Sequence, residues 1–199
     1  MLVINELVLN EKQQAKQDAI LAAALQLFAQ KGFHGTAVPD VAQLAGVATG
    51  TIYRYFSSKE ALVNAVFQQA KQCLYNTLNP ADFDFKANPR QLFSLLWQRL
   101  CLFSKTQPLA FRFLELQDHV PYLDEKSKAI ESQVLIPIWT YCVMAIQKKA
   151  ARDMPAEALM ALIWGAFVGL IKAEYMGYIV LNEQILAQAE QACWASFSC

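Results

Sequence analysis

A short polar segment near residue 50 carries groups that suit contact with nucleic acid. Residues 49–59 read T-G-T-I-Y-R-Y-F-S-S-K. Tyrosine hydroxyls and a lysine ammonium group suit phosphate oxygens, whereas threonines suit base edges or a thymine methyl group. Gly50 would let another molecule approach the backbone closely. The alternative is a solvated helix face, on which tyrosines cover apolar surface and keep one end wet.

Two short helices around a glycine turn are predicted to hold this segment. Thr36 can cap the first helix, with Pro39 and Asp40 in its first turn. Gly46 permits a left-handed turn after it. The second helix is predicted from about Thr49 to Phe56. The apolar positions that fall on inner faces are Val38, Val41, Ala42 and Ala45 in the first helix and Ile52 and Phe56 in the second.

The residues that follow predict a third helix with a capping box. Ser57 begins the sequence S-S-K-E, which places Glu60 at the third helical position. Helices as short as the two before it are not stable alone, so they must be held by their neighbours. Two short helices at a fixed angle describe a helix-turn-helix, whose second helix enters the DNA major groove.

At these residues the chain resembles the TetR family of bacterial transcriptional repressors. The matching runs are A-A-L-Q-L-F-A-Q-K-G-F, T-A-V-P-D-V-A and A-G-V-A-T-G-T-I-Y-R-Y-F-S-S-K-E-A-L, within about residues 15–65. The resemblance implies a homodimer that binds a palindromic double-stranded DNA operator and is released by a small molecule in the C-terminal domain. Two positions depart from the family: Ala48 replaces a frequent capping serine, and Pro39 replaces a frequent basic residue. The residues predicted to contact DNA are Thr36, Thr49, Gly50, Thr51, Tyr53, Arg54, Tyr55 and Lys59.

The charge of the N-terminal part predicts few phosphate contacts. In residues 1–65 five basic side chains balance five acidic ones, and the whole chain has a formal net charge of zero. The excess of basic residues that is usual in a DNA-binding domain is therefore absent from residues 1–65 as a whole, although Arg54 and Lys59 provide positive charge beside the second helix. We expect a modest dependence of DNA affinity on salt.

The composition predicts a reduced, cytoplasmic protein with a large apolar surface to bury. Apolar residues make up 55% of the 199 residues. Such a surplus predicts a subunit interface, an apolar cavity or both. The longest uncharged apolar run, residues 158–171, is too short to span a bilayer, and no secretion signal is expected. The five cysteines are scattered without C-x-x-C spacing, so neither a disulfide framework nor a metal site is expected.

The pattern of apolar residues predicts an all-α fold of about nine helices. Residues 1–58 would form an N-terminal three-helix DNA-binding domain, and residues 59–199 a C-terminal helical bundle for ligand binding and dimerisation. A helix from about residue 59 to 78 would connect the two. Asn88 and Asn182 are predicted helix caps, and Pro137 is predicted to kink a helix that runs from about residue 124 to 151.

A stripe of small residues predicts the dimer interface. Ala161, Gly165, Gly169, Ala173 and Gly177 recur at every fourth position, so they share one face of a helix. A second helix could approach this face closely. The alternative is a close crossing of two helices within one subunit. The resemblance favours the interface, because the last two long helices form it in the family.

Aromatic residues of the C-terminal part predict a ligand pocket, although core packing explains any single one of them. The predicted lining is Phe103, Phe111, Glu115, His119, Trp139, Tyr141, Trp164 and Phe167, with Tyr122 as another polar candidate. Glu115 and His119 have the spacing E-x-x-x-H, which is conceivable for catalysis, but no further cluster completes a site. His34 is interpreted as a solvated loop residue.

The predicted function is a dimeric repressor of the TetR type, without cofactor or enzymatic activity, released by a small apolar or aromatic effector. One alternative is a ligand-independent DNA-binding regulator whose C-terminal domain only dimerises. Another is a helical enzyme that metabolises a small molecule.

Overall fold

The fold is all-helical, as predicted. The computed structural model describes residues 2–118 and 120–199, with side chains for residues 11–118 and 121–199. Within these ranges there are nine α-helices and no β-strand. The helices are α1 Leu2–Lys31, α2 Val38–Leu44, α3 Thr49–Tyr55, α4 Lys59–Leu78, α5 Pro89–Thr106, α6 Pro108–Leu116, α7 Glu125–Gln147, α8 Ala156–Tyr175 and α9 Glu183–Phe197. Short 3₁₀ turns lie at Pro80–Asp82 and Val120–Tyr122.

Side-chain caps fix several helix starts. The Asn88 side chain accepts a hydrogen bond from the Arg90 N–H at 2.8 Å, and Asn182 accepts one from the Ile185 N–H at 2.9 Å. Both caps were predicted. The predicted cap at Ser57 is wrong by one residue, because α4 begins at Lys59 and the Ser58 hydroxyl accepts from the Ala61 N–H at 3.1 Å.

The end of α7 differs from the prediction. The helix ends at Gln147 rather than near residue 151, and Lys149 has a left-handed backbone with φ of 55°. The segment after this turn pairs with the C-terminal residues. The Arg152 N–H donates to the Phe197 carbonyl at 2.8 Å, and Ala151 forms an isolated bridge with Ser198. This pairing explains why the helix cannot continue. Pro137 lies inside α7, and the kink there stays a prediction.

The chain divides into two compact units, and the first contains the helix-turn-helix. It comprises the residues up to Ala70 together with Leu109–Lys128. Helix α1 contributes residues to the core of this unit, and Ile20, Ala23, Ala24, Leu27 and Phe28 are all buried. Phe28 packs against Phe113 of α6 with ring centres 6.3 Å apart. Helix α6 is therefore part of the same core as α1.

The second unit comprises Lys71–Pro108 and Ala129–Cys199. Its core is an aromatic cluster on α5, α7, α8 and α9, formed by Phe93, Trp97, Tyr141, Phe167, Trp194 and Phe197. The Arg90 guanidinium lies 5.4 Å from the Trp194 ring centre and pairs with Glu190 at 2.6 Å. This pair ties the start of α5 to α9. The predicted boundary between residues 58 and 59 stays a prediction.

Candidate nucleic-acid interface

The turn between α2 and α3 has the geometry that a helix-turn-helix requires. Gly46 has a φ of 66°, a left-handed conformation that favours glycine. The Val47 N–H donates to the Ala42 carbonyl at 3.0 Å, which closes the end of α2. Ile52 and Phe56 are buried, as predicted, so they anchor α3 in the core of the first unit. The opposite face of α3 is left outside.

That outer face of α3 carries the predicted contact groups. Tyr53 is 52% exposed, and Gly50 and Arg54 are exposed as well. Thr49 and Thr51 are half-buried. At Gly50 no described atom outside its local backbone lies within 4 Å of the position that a Cβ would take. The surface therefore offers hydroxyl, guanidinium and bare backbone groups together.

Two residues of the predicted contact set have other roles. Thr36 is only 2% exposed, and its hydroxyl donates to the Gly32 carbonyl at 2.8 Å. The predicted cap by Thr36 is wrong, because α2 begins after Ala37 and no described side chain caps it. Its burial also takes its side chain off the surface that could contact DNA. The Tyr55 hydroxyl donates to the Gln13 carbonyl at 3.3 Å, which ties α3 to α1.

Lys59, at the start of α4, is held by a stack of aromatic rings. Its ammonium group lies 4.2 Å from the centre of the Phe33 ring. The Phe33 ring stacks on Tyr122 with ring centres 3.9 Å apart. The Tyr122 hydroxyl lies 2.6 Å from Nε2 of His34. These four residues, called the Phe33 stack below, position the ammonium group at the helix start.

The Phe33 stack corrects the interpretation of two residues. His34 is exposed, yet it is hydrogen-bonded to Tyr122 rather than being only a solvated loop residue. Tyr122, considered for the ligand pocket, packs within the first unit beside the helix-turn-helix. The hydrogen bond between His34 and Tyr122 could hardly be predicted from the sequence, because the two residues are 88 positions apart. The aromatic residues in G-F-H-G and V-P-Y are the only sequence feature that indicates it.

A buried amide network fixes α4 to the segment that precedes α7. The Asn64 amide donates to the Tyr122 carbonyl at 2.7 Å, and its oxygen accepts from the Asp124 N–H at 2.8 Å and the Ser127 hydroxyl at 2.7 Å. Asn64 and Ser127 are both buried. All of these bonds satisfy groups that would be costly to leave unpaired. The network therefore holds Tyr122 in place under Phe33.

Two carboxylates near these helix starts have lowered pKa values. The backbone N–H of Ser127 donates to Asp124, which holds the pKa of that carboxyl below its ordinary value of 3.8. The pKa of Glu60 is also lowered, by a hydrogen bond from its own backbone N–H and then by the Ser58 hydroxyl. Glu60 is thus ionised beside Lys59. The Glu60 carboxylate repels phosphate, and the positive charge of Lys59 must offset this repulsion for DNA to bind here.

The residues predicted for the ligand pocket fall in both units. Phe103, Tyr141 and Phe167 are buried in the second unit, whereas Phe111 and Glu115 belong to the first. Trp164 is half-buried, Trp139 is exposed and donates from Nε1 to Glu157 at 2.9 Å, and His119 lies outside the described residues. An open groove of about 510 Å³ between α5, α8 and α9 is lined by none of these residues. The pocket stays a prediction.

The predicted small-residue stripe lies on the outside of α8. Ala161, Gly165 and Gly169 are exposed, and Ala173 is half-buried. Gly177 is exposed as well, but the prediction that it shares this helix face is wrong, because α8 ends at Tyr175 and Gly177 has a left-handed backbone with φ of 76°. At Gly165 and Gly169 no described atom beyond the local backbone lies within 4 Å of a Cβ position. The alternative of a close crossing within one subunit is therefore excluded at these two glycines.

Comparison with known proteins identifies the family. The model described as "Bacterial regulatory proteins, tetR family" matches residues 20–66, and the model "Tetracyclin repressor-like, C-terminal domain" matches residues 64–199. The chain belongs to the TetR family. This family consists of transcriptional regulators rather than enzymes, which confirms the prediction that the chain is not an enzyme. Among the described residues no group of three or more His, Cys, Asp and Glu could hold a metal ion.

The TetR relatives match the chain in two different ways. The transcriptional regulator RutR of Escherichia coli K12 is 54% identical over 55 residues, which are 28% of this chain and 26% of RutR. The chain thus matches about a quarter of the length of that curated relative. A TetR family protein from Vibrio parahaemolyticus has a TM-score of 0.72 and 26% identity, over 92% of this chain and 99% of that one. A regulator from Marinobacter aquaeolei VT8 has a TM-score of 0.78 at 21% identity, over 95% and 98%, and shows the fold.

Proposed function

We propose that this TetR family protein is a dimeric repressor that binds a palindromic operator and is released by a small apolar or aromatic effector. The observation that carries DNA binding is the outer face of α3, where Gly50, Tyr53 and Arg54 are exposed, with Lys59 four residues after α3 at the start of α4. Helix α3 is the second helix of the motif, the one that lies in the major groove in this class of protein. The cytoplasm is the expected compartment.

The contact groups divide by chemistry. Tyr53, Arg54 and Lys59 suit phosphate oxygens and would set the position of the protein on DNA. Thr49 and Thr51 suit base edges and would carry sequence preference. Gly50 would let the backbone of α3 come close to the groove. Thr36 is left out of this set because its side chain is buried.

A gel-shift titration with DNA flanking the protein's own coding region tests the proposal. We expect a specific complex that survives excess unrelated DNA. Lys59→Ala should weaken it, whereas Lys105→Ala removes the same charge from an exposed site in the second unit and should not. Equal loss with both variants would mean that only overall charge matters. Absence of specific binding by the unaltered protein to this DNA would count against operator binding through α3.

Dimerisation is supported by the outer faces of α8 and α9. Besides the small-residue stripe, Leu162 is 53% exposed. Exposed positions of α9 between residues 184 and 196 are alanine, glutamine and serine, without a charge. By length and composition α7 and α8 could cross a membrane, but the core helix of a soluble protein passes the same test. An uncharged, small-residue face on two adjacent helices suits a four-helix contact between two subunits.

Sedimentation equilibrium of matched variants tests the interface. The unaltered protein should be a dimer at micromolar concentration without DNA. Gly169→Leu places a large side chain where a partner helix must pack, and overpacking costs about 1–3 kcal/mol, a roughly five- to 150-fold weaker dimer. Gly169→Ala adds one methyl group and should weaken it less. A monomeric unaltered protein, or a Gly169→Leu dimer of full strength, would contradict the interface.

Release by an effector requires that it bind the DNA-incompetent arrangement more tightly than the competent one. In a dimer the two α3 helices must lie about 34–36 Å apart, one turn of DNA. Helix α4 begins at Lys59 and continues into the second unit. We propose that a tilt of α4 changes the distance between the two α3 helices of the dimer. An effector that binds tightly without changing operator affinity would favour a ligand-independent regulator instead.

A further inference from the structure

Two buried side chains in the second unit have polar atoms without a hydrogen-bond partner. Among the described residues, Trp97 Nε1 and Tyr141 Oη are the buried side-chain atoms left unpaired. Trp97 is 3% exposed and Tyr141 is 1% exposed, so bulk water does not satisfy them. The large majority of buried polar groups in folded proteins are paired, and each exception calls for an explanation. A bound molecule would supply the missing acceptors.

Both side chains belong to the aromatic cluster and pack against the same ring. The ring centres of Trp97 and Tyr141 lie 5.9 Å and 6.4 Å from that of Phe93. Trp97 also meets Phe167 edge to face, with ring centres 5.3 Å apart. The two unpaired groups therefore lie on α5 and α7 around one shared ring, and α8 contributes the next. The neighbours of both side chains are aromatic rings, and such neighbours suit an aromatic molecule.

The chemistry of the two groups specifies what they could bind. The Trp97 N–H can only donate, and the Tyr141 hydroxyl can donate as well. Burial raises the pKa of Tyr141, so its hydroxyl keeps its proton at neutral pH. Burial also raises the pKa of the Cys142 thiol to about 12 and that of Cys193 to about 11, so neither is charged.

The missing partner is therefore a neutral acceptor. The cation beside this cluster, Arg90, already pairs with Glu190 at 2.6 Å. An anionic group would be costly to bury against neutral donors. A carbonyl oxygen is such an acceptor, because it has two lone pairs and no proton to donate.

We infer that the effector is a neutral aromatic molecule whose carbonyl oxygen accepts hydrogen bonds from Trp97 and Tyr141. This inference rests on the proposed function, in which the C-terminal part binds an effector. It names the chemical class and two specificity-determining residues. Tyr141 was among the residues predicted for the pocket, whereas Trp97 was not.

A pair of probes that differ by one carbonyl group tests the inference on the full-length protein. The probes are 2-acetylnaphthalene and 2-ethylnaphthalene, which have similar shape, and binding is measured by calorimetry. The ketone should bind about tenfold more tightly, because two hydrogen bonds to buried donors together contribute about 1.4 kcal/mol. In Trp97→Phe and in Tyr141→Phe, each of which removes one of the two donors, the preference should fall to about threefold. Tyr178→Phe, which alters an exposed tyrosine, should keep it.

Thermal unfolding without probe gives an independent check. Tyr141→Phe removes a hydroxyl that has no partner, so the Tm should stay equal or rise by about 1–4 °C. A fall of that size would show that the hydroxyl is satisfied in the free protein and would overturn the inference. Equal binding of both probes, or binding of neither, would overturn it as well.

Operator binding measured by fluorescence anisotropy with the same ketone separates this inference from the proposed function. If the ketone binds with a preference that depends on Trp97 and Tyr141 but does not lower operator affinity, the binding site is supported and its role in operator release is refuted. If both probes release the operator equally, the effector response is supported, and the inference that Trp97 and Tyr141 donate to a carbonyl oxygen is refuted.

Discussion

Replacing Gly50 with alanine should stabilise the protein and weaken DNA binding at the same time. Gly50 lies in the first turn of the seven-residue helix α3, and a Cβ there would meet no described atom within 4 Å. Alanine in a helix is more favourable than glycine by about 0.5–1 kcal/mol. Because nothing opposes the added methyl group, the free energy of unfolding should increase by up to that amount.

The opposite effect is expected on the operator complex. The methyl group would stand on the exposed face of α3, where the proposal places the backbone close to the major groove. Overpacking of a close contact costs about 1–3 kcal/mol, which corresponds to a roughly five- to 150-fold weaker complex. Thermal unfolding should show a Tm rise of about 1–4 °C. Fluorescence anisotropy on a labelled operator measures the loss of affinity.

Gly46→Ala is the matched control, because it adds the same methyl group one turn away from the proposed contact. Gly46 has a φ of 66°, so alanine there is strained by about 1–2 kcal/mol and the Tm should fall. Below the Tm this variant should keep its preference between operator sequences. If Gly50→Ala binds the operator within twofold of the unaltered protein, α3 does not approach DNA at this residue. A lower Tm for Gly50→Ala would refute the statement that a methyl group at residue 50 meets no neighbouring atom in the free protein.

Three further predictions concern the same unit. Lys59→Ala should weaken binding to all DNA sequences about equally and reduce the slope of log affinity against log salt concentration by about 1. Thr51→Ala should instead change which base pairs are preferred. Competition with single-base operator variants measures this preference, and a changed preference in Lys59→Ala with none in Thr51→Ala would contradict both roles. Tyr122→Ala removes the ring under Phe33 and should lower operator affinity more than Tyr122→Phe, which keeps the stack, so equal losses in anisotropy titrations would argue against positioning by the stack. The lowered pKa of Asp124 means that its cap contributes above the ordinary value of 3.8 and is lost as pH falls through the lower folded pKa. Asp124→Ala should therefore cost about 1 kcal/mol at pH 7 and less in acid, and a cost in thermal unfolding that grows toward pH 3 would contradict this.

The elements that local rules govern could be predicted from the sequence. The start of α5 at Pro89 after Asn88 depends on one cap and one fixed φ, and both rules act within a few residues. The inward positions Ile52 and Phe56 follow from helical spacing alone. The caps assigned to Thr36 and Ser57 failed for a local reason too. Several hydroxyls lie near each helix start, and tertiary packing decides which one caps.

Contacts between distant segments could not be predicted in the same way. Nothing near Asn64 in sequence indicates that its amide joins Tyr122, Asp124 and Ser127, which lie 58 to 63 positions later. Such a network depends on how α6 returns the chain to α1 and α4. Helical periodicity specifies which face is buried but not against which partner.

This long-range packing bears on how an effector could act. The residues of the first unit include Leu109–Lys128, which the sequence had placed in the C-terminal domain. Lys59 is therefore positioned by Phe33 from the helix-turn-helix and, through Tyr122, by a segment that is continuous with α7. Tyr141, one of the two unpaired groups, lies further along α7. A molecule that engages Tyr141 would thus act on the same helix whose N-terminal capping residue Asp124 is bonded to Asn64 of α4. Like α4, α7 runs from residues of the first unit into residues of the second. We propose α7 as a second route, beside α4, by which an effector at Tyr141 changes the position of Lys59.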